Sequence, residues 1–271
     1  MIHHAVQGTA VPALGFGTFR LPGDDCREGV EHALGIGYRH IDTAQGYHNE
    51  ESVGEGIRRA GVPREDIFLT SKVSPDNFAG DSADTSTVES LHKLGTDYVD
   101  LMLLHWPNPD VPLEEPLTSL ARLQREGAVR HVGVSNFPPS LVEKAQAITP
   151  LFCNQVEYHP FLSQTALLKQ ARKHDLLLTA YCPIARGKVL QDPVLRDLGA
   201  KYGKTAAQVA LRWLVQQERV AAIPKSAHAQ RRIDNFDIFD FELTDEEMKA
   251  VFALDRDQRL VDPAIAPDWE R

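Results

Sequence analysis

The order of segments along the chain predicts an α/β protein: a single (β/α)8 TIM barrel with an extra helix before the last strand and a C-terminal helix and tail. Three observations carry this prediction. Eight short apolar runs, each closing on a polar or small residue, alternate with longer stretches of helical period. Strand and helix alternating so regularly imply parallel strands joined by right-handed crossovers, and eight of them close on themselves rather than staying open. The 271 residues agree with the roughly 250 that one such barrel uses. No Pro/Gly/Ser-rich linker, internal repeat or charge block divides the chain, so residues 1–271 read as one domain.

The candidate strands are, in order, Ala13–Thr18, Arg39–Thr43, Ile67–Lys72, Leu101–His105, His131–Ser135, Cys153–Glu157, Leu177–Tyr181 and Ala221–Lys225. Between the fourth and fifth, Leu113, Leu117, Leu120 and Ala121 mark one face of a helix running to Glu126. Gly61-Val62-Pro63 and Gly127 supply helix stops. From Tyr181 to Lys225 the 44-residue interval leaves room for two helices. One of them is capped by Thr205 and buries Ala206, Val209, Ala210, Trp213 and Leu214. Thr244 with Glu247 is a capping box for a last helix.

Composition narrows the class of function. The chain is 42% hydrophobic and 25% charged, as in ordinary globular proteins. Its 29 Lys and Arg against 38 Asp and Glu give a formal charge of -9, which repels nucleic acid in the absence of a segregated basic face. Met1 to Gly17 has no Lys or Arg and no long apolar run, so neither a secretory signal nor a membrane span is expected there. The expectation is a cytoplasmic monomer. Cys26, Cys153 and Cys182 are odd in number and lack CxxC spacing, which favours core thiols over disulfides. The histidines show no HExxH pattern, so no metal site is expected.

Active sites in this architecture occupy the C-terminal rim, so the strand-end residues matter most. They are Thr18, Asp42, Lys72, His105, Ser135 with Asn136, Gln155, Tyr181 and Lys225. A carboxylate, an ammonium and an imidazole arrive from three neighbouring strands, and Tyr47 follows Asp42 in the same loop. A phenol near pKa 10 is a poor acid or base at neutral pH unless a cation stabilises its phenolate, and Lys72 can supply that field. Asp42 would hold Lys72 in place, and His105 could orient a substrate carbonyl toward Tyr47.

The motif Gly37-Tyr38-Arg39-His40-Ile41-Asp42-Thr43-Ala44, followed by Tyr47, Asn49-Glu50 and Val53-Gly54, resembles the aldo-keto reductase signature. The resemblance continues through Leu14-Gly15-Phe16-Gly17-Thr18, Thr70-Ser71-Lys72, His105-Trp106-Pro107 and Gly133-Val134-Ser135-Asn136-Phe137. Asn154 to Pro160 and Ile223-Pro224-Lys225-Ser226 extend it over essentially the whole chain. It implies that Asp42, Tyr47, Lys72 and His105 are the catalytic tetrad, with Tyr47 the general acid in carbonyl reduction. The short connections after Thr18 and His105, and the tail with Leu260-Val261-Asp262-Pro263 and Ala266-Pro267-Asp268-Trp269, are similar to those of bacterial 2,5-diketo-gluconate reductases, which also reduce methylglyoxal and small aldehydes.

A tetrad of this kind moves a proton but supplies no hydride, so carbonyl reduction needs a nicotinamide. The glycine pairs at Gly15, Gly35 and Gly54 lack the third glycine of a Rossmann fingerprint. The resemblance implies instead a coenzyme lying extended across the rim. Thr18, Ser135, Asn136 and Gln155 would bind it, the last three at the carboxamide, with Tyr181 stacked on the nicotinamide. Lys225, Ser226, Arg231, Asp234 and Asn235 match the adenosine end, where Lys225 and Arg231 would pair with a 2′-phosphate and favour NADPH. Arg232 offers a second guanidinium beside Arg231. Phe19 and Trp106 would wall the substrate pocket, and Ser74 would make it smaller and more polar.

The expected function is therefore NADPH-dependent reduction of small aldehydes and ketones, with no nucleic-acid or membrane partner. Two alternatives use the same barrel: a nucleotide-binding regulatory protein without turnover, and a metal-dependent hydrolase.

Overall fold

The computed structural model describes residues 1–270. It opens with β1 (His3–Val6) and β2 (Thr9–Pro12), an antiparallel hairpin that the strand reading passed over. Its turn, Gln7-Gly8, holds both residues at positive φ, the geometry of a two-residue hairpin loop. Strands this short show too little alternation to be seen in sequence. The hairpin closes the floor of a barrel: Val6 and Val11 bury against Phe68, Leu101, Leu103, Phe152 and Leu177.

The barrel strands are β3 (Phe16–Gly17), β4 (His40–Asp42), β5 (Phe68–Val73), β6 (Val99–Leu104), β7 (Val129–Ser135), β8 (Cys153–Glu157), β9 (Leu177–Tyr181) and β10 (Val220–Ala222). They pair in parallel and in sequence order, as the alternation predicts. The first and last candidate strands shorten at the seam. There Ala222 N–H donates to Ala13 O at 2.8 Å, Gly15 N–H to Ala222 O at 2.8 Å and Gly17 N–H to Pro224 O at 3.1 Å, which closes the ring. Glycine is required at this approach, because a Cβ on Gly17 would stand 2.9 Å from Ile223 O.

Around the strands run α1 (Gly23–Ile36), α2 (Glu50–Ala60), α3 (Ser82–Leu94), α4 (Glu114–Arg125), α5 (Pro139–Ile148) and α6 (Thr165–His174). Two helices, α7 (Pro193–Tyr202) and α8 (Ala206–Val215), fill the long interval before β10, as its length predicts. They are followed by α9 (Ala229–Phe236) and α10 (Asp245–Phe252). Thr205 forms a full capping box with Gln208 at the start of α8, and Thr244 forms one with Glu247 at α10. Gly61 ends α2 in the left-handed conformation.

Strand alternation separates two apolar layers. Ile41, Leu69, Val73, Met102, Leu104 and Val156 face the helices. On the inward face each strand climbs from an apolar floor to a polar rim, as in β5 from Phe68 through Thr70 to Lys72, or in β8 from Cys153 through Gln155 to Glu157. The period of two thus delivers the polar strand-end side chains to one end of the ring. No helix among the described residues is long and apolar enough to cross a membrane.

Candidate active site

A cavity of about 660 Å³ opens at the rim, within the size range of small-ligand pockets. At its base Lys72, 0% exposed, donates from Nζ to Asp42 Oδ1 at 2.6 Å, to Thr43 O at 2.7 Å and to the Tyr47 hydroxyl at 3.2 Å. All three ammonium protons are thereby used. Asp42 Oδ2 accepts from Gln155 Nε2 at 2.7 Å, so both carboxylate oxygens are held. Tyr47 comes from the turn after β4, and its ring meets that of His105, which follows β6, edge to face at 5.5 Å. The three residues singled out by strand position therefore converge with Tyr47.

Their protonation follows from burial and from each other. Burial works against the Lys72 ammonium, but Asp42 and then Tyr47 outweigh it and hold Lys72 above the usual lysine value. Burial, with Lys72 adding to it, pushes His105 down to about 3, so its imidazole is neutral at pH 7 and can donate from one nitrogen without charge. Tyr47 corrects the sequence reading. Burial raises its phenol above 10.0, with Asp42 adding to the rise, and the Lys72 field only offsets part of this. The hydroxyl is consequently protonated at rest, the state a proton donor needs, and the cation limits how tightly the proton is held.

Ser135, Asn136, Gln155 and Tyr181 line the cavity beside these groups and are tied into one network. Ser135 Oγ donates to Gln155 O at 2.9 Å, and Asn136 Nδ2 donates to His105 O and to Ser135 Oγ, both at 3.0 Å. The Tyr181 hydroxyl donates to Asn136 Oδ1 at 2.7 Å, which fixes its ring as a wall of the cavity. The second Nε2 proton and Oε1 of Gln155 have no partner among the described residues. Thr18 is placed differently from the expectation: it is fully buried, and its hydroxyl donates to Asp42 O at 2.9 Å, away from the cavity lining. It supports the Asp42 backbone.

Lys225 lines the cavity, Ser226 lies in the turn before α9, and Arg231, Asp234 and Asn235 lie on that helix, with Asn235 buried and none of these four in the cavity lining. Lys225 and Arg231 are exposed and form no ion pair among the described residues. Ser226 Oγ bonds to His228 N and O, shaping the turn, and Asp234 accepts from Gln230 at 2.8 Å. Arg232 is a correction. Its guanidinium is buried, donating to Ser226 O at 3.1 Å and Ala227 O at 3.0 Å, so it braces the turn from inside and is not a second free cation.

Phe19, 50% exposed, stands over the mouth with its ring 5.0 Å from that of Tyr47, and Trp106 forms another wall. Ser74 does not line the cavity; its backbone N–H donates to Gln45 Oε1 at 3.0 Å behind the Tyr47 turn. Cys26 and Cys153 are core thiols as expected, whereas Cys182 is half-buried and lines the cavity with Pro183, Ile184 and Arg186. The loop carrying them kinks through positive φ at Cys182, Ala185, Arg186 and Gly187. Leu260, Val261, Asp262 and Pro263, which in sequence stand out only as a tail similar to that of the bacterial reductases, form one wall. Nothing in strand or helix period points to them, because they lie in an irregular tail.

The chain resembles known proteins along nearly all of its length. The model of the aldo/keto reductase family matches residues 13–256. Methylglyoxal reductase DkgB of Escherichia coli O157:H7 is 41% identical over 96% of this chain and 100% of its own, and the glyoxal reductase of Bacillus subtilis is 40% identical over 94% and 92%. A crystal structure provisionally assigned as a 2,5-diketo-D-gluconic acid reductase B superposes with a TM-score of 0.97 at 50% identity, covering 100% of this chain and 98% of that one. The Bombyx mori aldo-keto reductase in complex with NADP superposes with a TM-score of 0.90 at 33% identity, covering 99% and 98%. By sequence and by fold, the chain belongs to the aldo/keto reductase family.

Proposed function

We propose that the protein reduces small aldehydes and ketones of the methylglyoxal or diketo-gluconate type to alcohols, using NADPH, with Tyr47 as the proton donor. The observation that carries this reading is the Lys72 ammonium, buried and pinned by Asp42, 3.2 Å from the hydroxyl of Tyr47 inside the rim cavity. The names of the relatives support the substrate class, since they are reductases of methylglyoxal, glyoxal and diketo-gluconate.

The residues present suit a nicotinamide coenzyme. Tyr181 offers an aromatic face, Gln155 keeps a donor and an acceptor for an amide, and Lys225 and Arg231 are cations without an ion pair among the described residues, suited to a phosphate. Bound there, the reduced coenzyme supplies the hydride that no side chain can. Neutral His105 donates a hydrogen bond to the substrate carbonyl and orients it toward Tyr47. Phe19, Trp106 and the Leu260–Pro263 wall exclude water around the carbonyl. As negative charge develops on the carbonyl oxygen, Tyr47 passes its proton to that oxygen, and Lys72 stabilises the phenolate left behind. Asp42 keeps Lys72 charged and aimed. Lys225 and Arg231 would pair with a 2′-phosphate and so favour NADPH over NADH.

The test is a parallel titration with NADPH and NADH, followed by a carbonyl panel containing methylglyoxal, nitrobenzaldehyde and diketo-gluconate at saturating coenzyme. Tighter binding of NADPH and its oxidation by at least one small carbonyl are expected. Binding of neither coenzyme, or no oxidation across the panel, contradicts the proposal.

A further inference from the structure

We propose that Glu157 is a positioning residue that sets substrate breadth by latching the C-terminal tail across the cavity; the inference rests on the carbonyl-reductase reading of that cavity. Glu157 ends β8, and its side chain is 0% exposed. Its Oε1 accepts the backbone N–H of Leu260 at 2.8 Å, and its Oε2 accepts that of Val261 at 2.9 Å. A third donor comes from the segment just after β8: His159 Nε2 lies 2.9 Å from Oε1. Because Phe161 N–H donates to His159 Nδ1 at 3.3 Å, Nδ1 is the acceptor of that ring and its proton sits on Nε2, aimed at Glu157. Three donors thus converge on one carboxyl group, whose two oxygens carry the lone pairs to accept all of them.

What the latch holds is a wall of the site. Leu260, Val261, Asp262 and Pro263 line the cavity that also contains Tyr47 and His105. Beyond Phe252 no helix or strand is present among the described residues, so no ladder holds this segment in place. Its far end is buckled to the rim through Trp269, whose Nε1 donates to Asp262 Oδ1 at 2.9 Å and whose ring meets Trp106 edge to face at 6.3 Å. At its near end Gln258 N–H donates to Phe161 O at 2.9 Å. Between these points Glu157 is the barrel group that binds the lining residues themselves. A wall made by a strap is only as closed as its fastening, so the fastening decides how wide a carbonyl the site admits. None of the Glu157 bonds reaches the reacting atoms, which separates its effect from that of Tyr47 or His105.

The experiment compares wild type with Glu157→Gln on methylglyoxal and on a bulky aromatic aldehyde, together with hydrogen exchange of residues 258–263. The amide keeps the shape of the carboxylate but turns a donor toward a backbone N–H. The kcat on methylglyoxal is expected to stay within about twofold while its KM rises about tenfold, the signature of lost binding rather than lost chemistry. The kcat/KM ratio of small to bulky substrate should narrow by about tenfold or more. Exchange at Leu260 and Val261 should accelerate while the strands stay protected and the NADPH affinity stays unchanged. Unaltered selectivity with unaltered protection at Leu260 and Val261 overturns the proposal. If Glu157→Gln does not fold, Val261→Pro decides, since it deletes one donor and leaves Glu157 in place; wild-type selectivity in that variant overturns the latch equally. A wild type that reduces no carbonyl defeats the functional reading by itself, and the exchange of the two amides then still shows separately whether Glu157 holds the tail.

Discussion

Replacing Lys72 by Met removes the ammonium while keeping most of the volume, and it separates what this residue does for the fold from what it does for the reaction. At 3.2 Å and an effective dielectric constant of about 20, the attraction between Lys72 and a Tyr47 phenolate is about 5 kcal/mol. That corresponds to about four pK units of phenol acidity before the opposing field of Asp42 is counted. Removing it should lower kcat for carbonyl reduction by about 100- to 1000-fold, within the usual range of general acid catalysis, with coenzyme affinity nearly unchanged. The same substitution strands the buried Asp42 carboxylate, which among the described residues keeps only Gln155 as a side-chain partner. Breaking a buried pair in this way costs about 3–5 kcal/mol. For a chain of this size that lowers Tm by about 6–20 °C. The assay is steady-state turnover plus thermal unfolding of Lys72→Met and of the double variant Lys72→Met/Asp42→Leu. The double variant should recover most of the lost stability, short of about 1–3 kcal/mol for the unpaired Gln155 amide, and none of the lost rate. A single variant with kcat within about threefold of wild type, or a double variant that regains turnover together with Tm, refutes the reasoning.

Three further outcomes follow from named contacts. His105 is held at about 3 in the fold against 6.5 when exposed, so the unfolded chain takes the proton first and stability falls as pH drops below 6.5, levelling off near 3. His105→Gln should flatten the slope of urea midpoint against pH over that window relative to wild type, and parallel slopes would remove the basis for a neutral imidazole. Lys225→Ala combined with Arg231→Ala should raise the KM for NADPH by about 10- to 100-fold and that for NADH by less than about threefold, with the difference shrinking in salt; equal losses for both coenzymes would argue against a 2′-phosphate contact. Gly17→Ala places a methyl 2.9 Å from Ile223 O at the barrel seam and should cost about 1–3 kcal/mol, read as a lowered Tm. An unchanged Tm would mean the seam yields.

The inward column of each strand made the rim legible in sequence. A polar residue closing an apolar run has one place to go in a closed parallel ring, and Asp42, Lys72 and Gln155 went there. Capping at Thr205 and Thr244 was legible for a local reason, since a box needs only two residues three apart. Thr18 is placed differently because strand-end position gives depth along the axis and not the direction of a side chain, and Ser74, expected at the pocket from the family resemblance, instead meets Gln45 behind the Tyr47 turn. Arg232 was misread because two adjacent arginines on a helix point about 100° apart, and here one faces the turn while the other faces solvent. The acidity of Tyr47 was overstated because sequence names the cation but not the burial that opposes it. The tail wall at Leu260 to Pro263 has no periodicity and is fixed by Glu157, a residue 103 positions earlier than Leu260, so nothing local announces it.

The central claim is that the Tyr47 hydroxyl gives its proton to a carbonyl held at this rim. It is tested most directly by single-turnover hydride transfer from bound NADPH to methylglyoxal in Tyr47→Phe against wild type. The account predicts a rate lower by about 100- to 10,000-fold with the same coenzyme dissociation constant. Hydride transfer at the wild-type rate in the phenylalanine variant would contradict it.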